Sequence, residues 1–254
     1  MKKFIFVLVV LICLGGTVKD IYSAPVRFPI PKVTIDVGTS NKPADVSLTL
    51  EILALLTILT LAPSLILMLT SFIRVVIVFS FISRALSTQQ MPPTQVVTGL
   101  SLFLTFFIMS PVLKDINNNA LQPYLQKKID VTTFYNNAIK PIRKFMFKQT
   151  REKDIALFIH MGKLKRPKNQ DEVPTYVLIP AFMLSELTTA FKMGILIFIP
   201  FIMIDLIVSS ILMSMGMIML PPVMISLPLK ITLFVLVDGW HLITYSVVKS
   251  FHML

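Results

Sequence analysis

Apolar residues fall in long blocks separated by short polar breaks along most of this chain. Ile52 to Ile73 gives 22 residues without a charge, and Thr94 to Leu113 gives another 20. Each block is long enough to cross a hydrocarbon core as a helix. Pro63 within the first block is expected to kink it. Arg74 and Arg84 bracket a further apolar stretch, VVIVFSFIS, which suggests that the first helix continues past Arg74. Pro92-Pro93 closes that stretch before the second block begins. From Val177 to Val248 the chain is apolar again, with breaks at Pro221-Pro222 and Pro228.

The intervening segment from Lys114 to Pro174 is polar, with thirteen Lys or Arg against six Asp or Glu, a net of +7. Within it, Val131–Lys148 and Gln149–Leu164 read as short amphipathic helices. Their aromatics, Phe145 and Phe158 among them, can cover a neighbour or pack on one another. The pattern specifies an all-α membrane protein. Its parts are a polar arm at 25–47, a helical hairpin at 48–113, a basic loop at 114–175 and a second hairpin at 176–254.

The first residues read as a secretory signal. Lys2 and Lys3 precede an apolar core from Phe4 to Leu14, then Gly15-Gly16 and a more polar end near Ser23-Ala24. A signal over 1–24, cut near residues 23 and 24, removes Cys13, the single cysteine, so the mature chain has no thiol for a disulfide. The arm from Pro25 to Ser47 is proline-rich and poor in aromatics, as exposed and weakly structured segments are. A cleaved signal places the basic loop outside, against the positive-inside tendency. At about 60 residues, however, the loop has the length at which that tendency loses force.

Composition agrees with the blocks. Hydrophobic residues make up 55% of the chain, charged residues only 15%, and the mean hydropathy is +0.79. The net charge of +11 does not point to nucleic acid, because the basic residues gather in one loop without a recognisable nucleic-acid module. His160, His241 and His252 are isolated, with no second ligand at metal spacing. No glycine loop of the kind that cradles phosphates is present, and the serines lie in apolar segments with no base nearby in sequence. These patterns indicate no enzyme, no metal and no cofactor.

Two features carry function. Met213, Met215, Met217 and Met219 recur every second residue around Gly216, and the run stops at Pro221-Pro222. That period is wrong for one helical face, so an extended or loop-like segment is expected, with the four thioethers pointing one way. Gly216, Pro221 and Pro222 would act as hinges. Methionine is long, unbranched and polarizable, which suits a deformable seal as well as simple gap-filling in an apolar helix. The second feature is a set of charges in the last apolar region: Glu186, Lys192, Asp205, Lys230 and Asp238. Ionisable groups at membrane depth face protein or water and find partners. Glu186 with Lys230, within one chain or between chains, is the expected pair. The set either holds helices in register or relays protons.

At these residues the chain resembles a known family. The strings SFIRVVIVFSFISRAL, TQQMPPTQVVTGLSLFLTFFIMSPV, FKQTREKDIALF, MSMGMIMLPPVMISLPLK and LFVLVDGW closely resemble the FliP family of flagellar biosynthetic proteins. They resemble less fully its counterpart in virulence type III secretion injectisomes. One departure is Ile218, where the family often carries a further methionine.

The resemblance implies an export gate built with the smaller membrane proteins FliQ and FliR. About five copies would form a helical ring lifted partly out of the inner membrane at the flagellar basal body, and unfolded flagellar subunits would pass through it. Four methionines from each copy would then form a gasket. Two readings of other classes stand beside it: a proton-coupled transporter of small solutes, and a structural assembly factor that lines no channel.

Overall fold

The computed structural model describes residues 43–86, 92–217 and 219–251. The signal, Cys13, most of the arm and Ile218 lie outside them. The chain divides into two units, residues 1–52 and 53–254. The helices and sites all belong to the second unit, apart from the opening turns of the first helix.

Every regular element among the described residues is helical. The first, α1, runs Pro43–Met68, so it starts inside the segment expected to be the arm and continues through Pro63. It is followed by α2 (Phe72–Ala85) and α3 (Thr94–Leu125), the latter with a π-turn at Asn117–Leu121. The basic loop holds α4 (Val131–Gln149) and α5 (Glu152–Met161), close to the two amphipathic helices expected there. The long α6 (Thr175–Ser214) leads to α7 (Pro222–Leu236) and α8 (Gly239–Lys249), which meet at a bend of 63°. By length and hydropathy α1, α3 and α6 can each cross a membrane, and α7 with α8 form one further broken candidate.

Contrary to expectation, the first helix does not run on past Arg74. Its last turn gives way at Leu69–Ser71, where the Thr70 hydroxyl donates to Leu67 O at 2.8 Å and accepts from the Phe72 N–H at 3.4 Å. A side chain that bonds the local backbone in this way offers an alternative to continuing the helix. The restart sets the rotation of α2, whose buried side chains are Arg74, Val75, Val78, Phe79, Ile82 and Ala85. That spacing of three and four defines one face. It packs most extensively on α6, where Leu178, Ala181 and Phe182 are fully buried. Burying Leu178 and Phe182 stabilises the fold by about 1.5–3 kcal/mol each.

The helices α4 and α5 also pack on α6, so the basic loop is part of the folded body. Asp130 caps α4 by accepting the Thr133 N–H at 3.2 Å, and hydrogen bonding from Thr133 holds its carboxyl below the ordinary carboxylate range. Phe145 is buried against Phe182 and Phe251, whereas Phe158 is half-buried on the edge of the same core. In this chain Phe145 therefore serves its own core. By contrast, no side chain of α1 from Leu50 to Met68 is buried, and the apolar residues Leu196, Met203, Leu206, Val235 and Leu236 of α6 and α7 are exposed.

Candidate functional site: a methionine tip above two ion pairs

The methionine segment is neither strand nor plain helix. Met213 lies in the last turn of α6, Met215 caps it, and Gly216 follows at φ +75°, a conformation that glycine adopts without strain. The Gly216 N–H donates to Met213 O at 3.0 Å and the Met217 N–H to Leu212 O at 3.0 Å. This paired closure satisfies carbonyls that the helix end would otherwise leave open. Pro221 then precedes α7 and Pro222 occupies its first turn, where a missing N–H costs nothing. The alternation of methionines is thus a helix end, a left-handed glycine and a short turn in succession. All four thioethers are exposed: Met213 67%, Met215 65%, Met217 37% and Met219 98%.

Below the tip, α6 and α7 are tied together. Asp205 Oδ2 accepts from Lys230 Nζ at 2.6 Å and Asp205 Oδ1 from the Ser226 hydroxyl at 2.6 Å. Lys230 is buried while Asp205 keeps about a third of its side chain exposed.

Further along α6, Glu186 is buried against Arg74 of α2. Arg74 Nε donates to Glu186 Oε2 at 2.8 Å, and Nη2 donates to Glu186 Oε1. Its remaining donors reach Gln149 Oε1 at 3.2 Å, Ser250 O at 3.1 Å and Ser250 Oγ at 3.0 Å. All five N–H groups of the guanidinium are used. The same cation lies 3.9 Å from the centroid of the Phe251 ring, and Gln149 Nε2 donates to Phe251 O at 2.7 Å. One arginine therefore joins α2, α4, α6 and the end of α8. Beside it, the Ser185 hydroxyl donates to Asp154 and accepts the Arg151 N–H at 3.0 Å, pinning the turn between α4 and α5 to α6.

The sequence profile of the FliP family matches residues 55–247. The chain belongs to the FliP family. It is 52% identical over 217 residues to the flagellar biosynthetic protein FliP of Bacillus subtilis, covering 85% of this chain and 98% of that one. To the FliP of Borreliella burgdorferi it is 56% identical over 211 residues, covering 82% and 83% of the two chains. To that of Aquifex aeolicus it is 46% identical over 224 residues, covering 87% and 92%. This FliP-family chain is accordingly a component of flagellar biosynthesis and export with membrane-crossing helices.

For this FliP-family member, the expected pair of Glu186 with Lys230 is corrected. Each is buried, but Glu186 binds Arg74 and Lys230 binds Asp205. Two other residues in the expected charge set are not buried at all. Lys192 is exposed on α6, and Asp238 is exposed at the α7–α8 bend, 3.9 Å from His241. Sequence reasoning missed Arg74 and Gln149 as partners. The available signal was Arg74 itself, a lone cation inside an apolar run, which demands a carboxylate somewhere in the fold. Among the described residues no cluster of His, Cys, Asp or Glu could hold a metal ion.

Proposed function

We propose that this protein forms, with further copies of itself and with FliQ-like and FliR-like subunits, the inner-membrane channel that exports unfolded flagellar proteins at the basal body. The observation that carries this reading is the exposed methionine tip at the apex of a hairpin whose two helices are locked by Asp205, Ser226 and Lys230. A soft surface on a fixed mount suits contact with passing chains of any sequence, because thioethers adapt in shape and impose no directional bonds. Repeated around a ring of about five copies, the tips close against ions and yield to a polypeptide. The large apolar faces left uncovered on α1, α6 and α7 supply the contacts such an assembly needs.

Two measurements test the reading separately. Native mass spectrometry of the detergent-extracted complex is expected to show several copies of this chain bound to two smaller hydrophobic proteins. A stable lone monomer contradicts it and favours a self-sufficient transporter. Replacing Met213, Met215, Met217 and Met219 together with Ala, in the reconstituted complex, should raise resting ion conductance severalfold while leaving the assembled mass unchanged. Unchanged conductance in an intact assembly rejects the seal and leaves a purely structural factor.

A further inference from the structure

We propose that the cleft between α5 and the loop after it binds an acidic, partly apolar segment of a partner protein. The cleft measures about 830 Å³, within the range of 300–1,000 Å³ typical of ligand-binding clefts. Phe147, Ile155, Ile159 and Val173 give it an apolar lining. Lys153 comes to the lining from α5, and Arg166 and Lys168 from the loop that follows it. All three cations are exposed, and none makes an ion pair among the described residues. Glu152 and His160 complete the ionisable lining. The nearby Glu172 carboxylate already accepts the Lys168 N–H at 2.7 Å.

Charge decides what fits. The arm of this chain from Pro25 to Lys42 carries Arg27, Lys32 and Lys42 against Asp36, so it is repelled. A second copy of the loop, itself strongly basic, is repelled as well. An anionic membrane surface wants its cations on one outward face. Here they line one cleft from two elements, with the Glu152 carboxylate and apolar side chains among them, an arrangement that suits a chain lying in the cleft. Apolar side chains of that segment would enter the lining while its carboxylates meet the rim, the usual division between anchor and steering contacts. The site lies apart from the methionine tip and does not depend on the channel reading.

The test uses the full-length protein in detergent and a fluorescein-labelled peptide that alternates Glu with Leu, followed by anisotropy. Saturable binding is expected, weakened by salt as exposed charge contacts are. The variant carrying Lys153→Glu, Arg166→Glu and Lys168→Glu should bind about tenfold more weakly or worse, from three exposed contacts of modest individual strength. These side chains are on the surface, so the variant keeps its fold. A peptide with Lys in place of Glu should not bind. Equal affinity of the variant and the parent, or of both peptides, overturns the proposal. Retention of the protein on phosphatidylglycerol vesicles through these three residues, with no binding of the acidic peptide, overturns it in favour of a membrane contact.

Discussion

Arg74→Ala is expected to cost about 3–5 kcal/mol of stability, the penalty for leaving a buried charge without its partner. Glu186 is fully buried and the arginine supplies two of its hydrogen bonds. Gln149 Oε1 and the Ser250 carbonyl also lose donors, and the Phe251 ring loses the cation above it. Arg74→Lys should recover little, because an ammonium cannot present a planar fork to three neighbouring elements at once. Replacing both charges by methionine should recover most of the loss, since an apolar pair of similar volume removes the uncompensated charge. Thermal unfolding of the purified protein in detergent measures all three variants. An Arg74→Ala protein as stable as the parent would show that Glu186 finds another counter-charge.

The second large effect is expected at Gly239→Ala. In an exposed helix this change would stabilise by up to about 1 kcal/mol on propensity alone. Here a Cβ would lie 2.3 Å and 2.4 Å from two atoms of the Phe234 ring, far inside van der Waals contact. Phe234 is buried, meets Trp240 edge-on at 5.2 Å between centroids and lies 6.3 Å from Phe201, so moving its ring aside disturbs both aromatic contacts. Overpacking of this kind costs about 1–3 kcal/mol, which outweighs the propensity gain and reverses the sign. Trp240 is the single tryptophan, so intrinsic fluorescence reports directly on the disturbance. Phe234→Leu introduced together with Gly239→Ala should restore the spectrum and the stability. A single variant that melts above the parent would refute the clash.

Much of the architecture could be read from hydropathy because lipid and core both demand long apolar helices, and the block pattern records that demand. The amphipathic spacing of residues 131–148 marked α4 correctly for the same reason. The break at Leu69–Ser71 was hidden, since nothing in an uncharged run distinguishes a Thr that bonds its own turn from one that rides a continuous helix. The partner of Glu186 was hidden for another reason. Charges of opposite sign can be listed from sequence, but which two meet depends on the rotation of α2 against α6, and only packing fixes that. For the methionines, alternation signalled correctly that one helical face was impossible. It did not show that a left-handed Gly216 would end the helix in mid-run.

The length of α6 has a consequence of its own. Its 40 residues reach about 60 Å along the axis at a rise of 1.5 Å each. The hydrocarbon layer is about 30 Å thick. To fit wholly inside, the helix would have to lean by about 60°, whereas membrane helices lean by 0–40°. About a third to a half of its length must then stand beyond the acyl chains, and residues 175–190, which α2, α4 and α5 of the same chain cover, suit that part. The largely exposed remainder, residues 191–214, reaches about 36 Å, which the acyl layer accommodates at a lean of about 35°, so one unbroken helix serves as both span and protruding stem.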